Sequence, residues 1–250
     1  MTDFAAGPGF VIILLAVAGL YATVGQAGAT GYLAVMGILG LDPVVAKPTA
    51  LALNLVVSGI GTFQFARLGR LSWRAIMPFA LLGLPLAAFG GAVHLPAATF
   101  YPVVGVILIF AALQMGRTAL RPRGSDGPRP RVPPFWPAVG LGAAVGLGAG
   151  ITGTGGGVFL APAVLALGWL DIRQTAALAA VCNLVLSAAA LAGNYAAMPV
   201  LPPHLPIWAL AVAIGGLLGA TLGARYLPER ALRLVLAAIL LASGARLIMT

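Results

Sequence analysis

The residues with most chemistry to offer are two glycine clusters, each set inside a long apolar stretch. The first runs Gly25-Gln26-Ala27-Gly28-Ala29-Thr30-Gly31, the second Gly150-Ile151-Thr152-Gly153-Thr154-Gly155-Gly156-Gly157. Glycine costs about 1 kcal/mol in a helix interior and frees backbone groups, so both clusters are predicted to break their helices. A helix that restarts after such a break presents unpaired N–H groups and a partial positive end, which suits a small anion. Thr30, Thr152 and Thr154 add hydroxyl donors beside those amides. Charge-assisted hydrogen bonds contribute about 1.5 to 3 kcal/mol each, so a few of them hold an oxyanion without a buried arginine. The plainer use of these glycines is close helix packing. Their recurrence at matching places in two halves is what favours a site.

Asn54 and Asn183 are polar residues within apolar stretches, and each has a serine four residues on, Ser58 and Ser187. Asn and Ser therefore share a helix face. They either orient a substrate or bond helix to helix. Lys47, the only lysine, falls near a helix end. Gating or substrate attraction is one use for it, and a solvated, snorkelling ammonium is the expectation. Gln64 and Tyr195 are further candidates for gating or attraction. Asp42, Asp171 and Glu229 all fall at segment ends, which argues against a carboxylate proton relay through the membrane centre. His94 and His204 lie in connections beside proline and are expected at the interface or in solvent. Cys182 sits alone in an apolar run and is expected to be a small packing residue. No nucleophile elbow, phosphate loop or paired-histidine metal spacing occurs, so neither an enzyme nor a metal or cofactor site is expected.

The elements that must position these residues are membrane helices. With 61% hydrophobic and 8% charged residues over 250 positions, the chain is far from soluble composition. Apolar stretches fall at about 9–41, 48–66, 75–93, 99–114, 137–170, 175–192, 206–224 and 231–248. Most approach the roughly 20 residues needed to cross a bilayer, while the first and fifth are too long for one span. The opening residues carry Asp3 and no Lys or Arg, so the first stretch is not expected to be a cleaved signal. A net charge of +9 lies between the apolar stretches, where membrane topology accounts for it and nucleic acid is not needed.

An offset of 129 superposes Gly19 on Gly148, Gly28 on Gly157, Asp42 on Asp171, Asn54 on Asn183, Ser58 on Ser187 and Arg117 on Arg246. Two repeats, 1–120 and 135–250, are thus expected, joined by a Pro/Gly/Arg-rich linker at 121–134. If each long stretch crosses once, the fourteen Lys/Arg divide nine inside to five outside. If each instead turns back at its glycines, twelve fall inside, and only Lys47 and Arg246 outside. Positive-inside bias favours the second arrangement. The expected fold is therefore an all-α polytopic membrane protein of two inverted repeats, each a glycine-broken re-entrant hairpin plus three transmembrane helices. Both termini are expected outside the inner membrane and the linker in the cytoplasm.

The stretch from Gly146 to Asn183, GLGAGITGTGGGVFLAPAVLALGWLDIRQTAALAAVCN, resembles the signature of the TauE/SafE family, also called TSUP, of sulfite exporters and toluene sulfonate uptake permeases. A glycine-rich break is followed by the step Leu160-Ala161-Pro162 and then a helix rich in small residues. The first half is similar, with Gly28 to Gly31, then Lys47-Pro48-Thr49-Ala50-Leu51 and Asn54, although GQAGATG replaces a full glycine run. The resemblance implies secondary transport of small anions such as sulfite, thiosulfate or organosulfonates, or of related organic acids. An anion channel and an intramembrane enzyme are the alternatives. The expected partners are a small anion and the lipid bilayer, and homo-oligomerisation is left open. Reporter fusions should place both termini outside; finding both in the cytoplasm would exclude the re-entrant arrangement in favour of eight single spans.

Overall fold

The computed structural model describes residues 7–23, 26–69, 73–120, 133–226 and 229–249. Within them the fold is all helical: α1 (Pro8–Thr23), α2 (Ala29–Ile38), α3 (Pro43–Arg67), α4 (Trp73–Ala92), α5 (Ala97–Leu120), α6 (Phe135–Thr152), α7 (Gly157–Ala166), α8 (Ile172–Ala197), α9 (Leu205–Tyr226) and α10 (Glu229–Met249). Among the described residues, six helices (α3, α4, α5, α6, α8 and α10) have stretches long and apolar enough to cross a membrane. The two long apolar stretches divide at their glycines into α1 and α2, and into α6 and α7, as the glycine cost predicts. Gly25 and residues 121–132 of the expected linker lie outside the described residues.

Local chemistry starts the two longest helices alike. Asp42 accepts from Val44 N at 2.8 Å, and Pro43 occupies the first turn of α3. Asp171 accepts from Gln174 N at 2.7 Å, and Gln174 closes a capping box at the start of α8. These are the two aspartates that the 129-residue offset superposes.

Backbone contact between helices is made through small residues. On α6, Gly142, Gly146 and Gly150 recur every four residues against Phe79, Gly83 and Ala87 of α4. A Cβ at these glycines would lie 2.2, 2.2 and 2.4 Å from carbonyl oxygens of those residues. On α9, Gly215 and Gly219 meet Leu15 and Gly19 of α1 in the same way, at 2.3 and 2.1 Å. Residue numbers rise together in both pairs, so α4 runs parallel to α6 and α1 parallel to α9. By contrast, Asn54 bonds Ser187, Gly59 faces Leu184 and Gly61 faces Ala180, so α3 and α8 run antiparallel. The α5–α10 pair is antiparallel too, with Gly105 against Ile248 and Gly244 against Ile109.

Two apolar cores result, and each draws on both halves of the chain. One joins Phe10, Leu14 and Tyr32 to Trp208, Val212 and Leu240. The other joins Leu51 and Phe79 to Val145, Leu160 and Leu186, and buries Cys182 as a packing residue. Hydrocarbon solvent gives these helices no hydrophobic reason to associate, so close contact at small residues carries the assembly. Gly146→Ala should therefore lower the melting temperature in detergent. Gly148→Ala, two residues along α6 with nothing within 4 Å of its Cβ position, should raise it slightly through helix propensity. Equal effects at the two positions would count against the α4–α6 contact.

Candidate functional site

Between the helices lies a cavity of about 370 Å3, within the usual size range of small-molecule sites. Its polar floor combines residues from both glycine breaks with the two asparagines. The first break contributes Gln26, Gly28 and Thr30, the second Thr154 and Gly157, and α3 and α8 supply Asn54, Ser58 and Asn183. Above the floor the wall is largely apolar, with Val57, Ile60, Val158, Ala161 and Leu165.

The breaks are built from backbone that only glycine adopts freely. Gly28 has φ 89° at the start of α2, and Gly153 has φ 74° at the end of α6. Tyr21 and Tyr32 close around the first break, with Thr30 Oγ1 donating to Tyr21 Oη at 3.1 Å and Tyr32 Oη donating to Ala27 O at 3.3 Å. At the second break, Gly155 fits between the asparagines, where a Cβ would lie 2.4 Å from Asn54 Nδ2 and 2.6 Å from Asn183 Oδ1. Asn54 Nδ2 donates to Ser187 Oγ at 2.8 Å, tying α3 to α8 across the two halves. Its Oδ1 is buried with no partner among the described residues.

Hydrogen bonding revises the expected donor set. One amide of the restarted α7 is already taken, since Gly157 N donates to Asn183 Oδ1 at 2.8 Å. Thr152 Oγ1 donates to Gly148 O at 2.6 Å and lies outside the cavity wall. A hydroxyl has one hydrogen to give, so in the 2.9 Å contact with Thr152 the donor is Thr154, which presents lone pairs to the cavity. Ser58 likewise donates to Asn54 O, at 2.6 Å. The donors that remain include the carboxamide nitrogens of Gln26 and of Asn183, whose oxygen is committed, and the first-turn N–H groups of α2, which no side chain caps.

Several expected residues stand apart from the cavity. Gly31 turns toward Val17 and Tyr21, Gly153 toward Lys47, and Gly156 toward Leu186 and Val145, so these three serve close packing. Gly155 and Ser187 lie behind the floor, with Gly155 against the asparagines and Ser187 bonded to Asn54. Tyr195 is 51% exposed and away from the cavity, whereas Gln64 lines it at an exposed position. His204 is exposed as expected, but His94 is partly buried and its Nε2 has no partner among the described residues.

Lys47 overturns the expectation of a solvated ammonium. It is 3% exposed, and its Nζ donates to Gly90 O, Gly91 O and Val93 O at 3.1, 2.8 and 2.7 Å. The last turn of α4 has carbonyls without intrahelical donors, and a cation satisfies them while meeting the negative end of the helix. Its acceptors are 43 to 46 residues away in sequence, beyond the reach of local pattern. Gln114, Thr175 and Arg233 also line the cavity and were not singled out from sequence. Arg233 lies one turn inside the apolar helix α10, three residues after Arg230, and a cation at that depth is a signal in its own right.

Membrane-length helices around an internal cavity with a polar, uncharged floor define the build of a membrane transporter. The chain belongs to the sulfite exporter TauE/SafE family, whose model matches residues 10–247. It is 50% identical over 240 residues to the probable membrane transporter protein y4hK of Sinorhizobium fredii (strain NBRC 101917 / NGR234), covering 96% of this chain and 97% of that relative. No solved structure matches the chain.

Lys47→Met should lower the melting temperature markedly, because it removes the lysine donor from Gly91 O and Val93 O at about 1–3 kcal/mol each, while Gly90 O keeps Val93 N. A solvated lysine would instead tolerate the change, so a neutral result would contradict the buried geometry.

Proposed function

We propose that this protein is a secondary transporter that exports small sulfur-containing anions such as sulfite, thiosulfate or organosulfonates across the inner membrane. The observation that carries this reading is the cavity floor, where both glycine breaks and the matching asparagines of the two halves converge on one space. Asn183 Nδ2 and the opening amides of α2 are the anion's donors in this reading, and the dipole of α2 adds a partial positive end.

The directions of the helix pairs support inverted repeats. Under the sequence offset α3 corresponds to α8, and α5 to α10, and both pairs run antiparallel. The parallel pairs α1–α9 and α6–α4 exchange under the same correspondence. A two-fold axis in the membrane plane generates these relations, and one repeat rocking against the other gives alternating access. The cavity opens at exposed Gln64, near the helix ends that carry Arg67 and Arg117. Positive-inside bias assigns that end to the cytoplasm, so the conformation is inward-facing and loads from the cytoplasm.

Asn183→Asp keeps an acceptor for Gly157 N but replaces the donor facing the anion with a negative oxygen. It should fold, yet lose at least about tenfold of anion flux in proteoliposomes, the scale of one lost charge-assisted hydrogen bond. In detergent, at least one of sulfite, sulfate, thiosulfate, sulfoacetate and lactate should raise the wild-type melting temperature, with about 2.7 kcal/mol of stabilisation at 100 times its Kd. Asn183→Asp should lose that rise. If no anion stabilises the wild type, or if the variant transports normally, the anion site is not at this floor.

A further inference from the structure

The cavity is a slot with unlike ends. On α3 its wall residues are Asn54, Val57, Ser58, Ile60, Gly61, Gln64 and Phe65, with Asn54 and Gln64 ten residues apart, or about 15 Å at 1.5 Å per residue. Asn54 belongs to the floor and Gln64 to the mouth. The antiparallel register of α8 sets Thr175 at the mouth as well, eight residues before Asn183. Short connections on either side of α4 bring the C-terminal end of α5, with Gln114, to the same end. Arg233, one turn into α10, completes the rim, because α10 runs antiparallel to α5.

Arg233 is the one charged side chain in the cavity wall among the described residues. Around the same mouth, Gln64 and Gln114 carry amide donors. Thr175 is 2% exposed, and its Oγ1 has no partner among the described residues. Arg233 also has an interaction within the protein, and a guanidinium carries five N–H donors. A guanidinium flanked by amides and a hydroxyl matches the planar or tetrahedral face of a carboxylate, sulfonate or inorganic oxyanion. Hydrocarbon walls also screen its field less than open water does.

We propose that Arg233, with Gln64, Gln114 and Thr175, forms a second oxyanion subsite at the mouth of the cavity, separate from the uncharged floor. A soluble anion binds here first and then passes about 15 Å along an apolar slot to the floor. This rests on the transport reading above, in which the mouth faces the cytoplasm and closes when the cavity opens to the other side. The subsite therefore acts on anions arriving from one face only.

Flux of radiolabelled sulfite and of sulfoacetate through the full-length protein, measured in proteoliposomes of resolved orientation, tests this. Arg233→Gln should raise the KM from the cytoplasmic face by at least about tenfold, the size expected for a lost charge-assisted contact, and leave the KM from the opposite face within about twofold. The dependence of the cytoplasmic KM on ionic strength should fall, and Arg233→Lys should recover part of the affinity. Equal KM changes on both faces, or none, would overturn the subsite while leaving the transport reading intact. Wild-type protein that neither moves nor is stabilised by any of the anions would overturn that reading and the subsite with it. If Arg233→Gln does not fold, Gln114→Leu must give the one-sided KM rise, and its absence is equally decisive. Repeating the measurement in liposomes of phosphatidylcholine alone, which lack net-anionic headgroups, separates a soluble anion from an anionic lipid headgroup. A one-sided effect that vanishes there would assign the subsite to lipid and overturn the proposal.

Discussion

Hydrocarbon offers no hydrogen bonds, so every backbone group freed by a helix break must be answered from within the protein. That constraint organises the centre of this fold. The start of α7 is held by Asn183 Oδ1, and the carbonyls at the end of α4 are held by Lys47 Nζ. Each answer comes from a neighbouring helix, so breaking one helix fixes the position of another. Asn54 extends the chain of dependence by bonding Ser187 on the helix that also carries Asn183. Gly155, enclosed by both asparagines, has no space for a side chain. The floor is consequently a single unit to which both halves contribute, and it cannot be taken apart half by half.

The cavity exists because close packing lapses between α3 and α8. Where α4 meets α6 or α8, and where α1 meets α9, a Cβ on the glycines would fall about 2 Å from backbone oxygen, at 2.2 Å for Gly146 and 1.9 Å for Gly193. Along α3 and α8 the approach is looser. Beyond the Asn54–Ser187 bond, the nearest atoms to Gly59 and Gly61 Cβ positions are at 3.8 and 3.9 Å, and Gly61, Gln64 and Phe65 line open space. The two helices therefore separate from a bonded floor toward a wider mouth. Glycine acts in opposite ways in one molecule: it closes the scaffold pairs, and at the breaks it supplies backbone conformations that leave room above the floor.

Much of this was legible where the cause is local. The glycine cost divides both long stretches, and Asp42 and Asp171 begin α3 and α8 as their equivalence under the offset implies. Asn54 and Asn183 were candidates because polar residues within apolar spans need a reason, and both line the cavity. What could not be read depends on helix crossings. Lys47 is answered by residues on another helix, and Gly157 by one 26 positions away, so neither partnership leaves a mark in local pattern. The same blindness made Thr152 and Thr154 look like donors, when their hydrogens are used within the break. Likewise, no spacing rule distinguishes Gly28, which borders the cavity, from Gly31, which presses on Tyr21.

The placement of charge within the fold follows from the cost of ions in a bilayer. An ionised side chain at the centre of a membrane helix costs about 2.5–3.5 kcal/mol on insertion scales, and it needs partners whenever substrate is absent. Lys47 meets that requirement with three carbonyls, and is thereby withdrawn from the cavity. If the floor is the anion site proposed above, a cation there would face the same demand each time the site emptied, and would hold an anion too firmly to release it on the far side. Neutral carboxamide and backbone donors avoid both difficulties, since dipoles fixed by the fold need no counter-ion. Arg233 lies at the rim instead, near helix ends where water reaches. In the proposed reading, an uncharged floor beneath a charged mouth would let an anion be attracted strongly from solution and still be bound loosely where it must be let go.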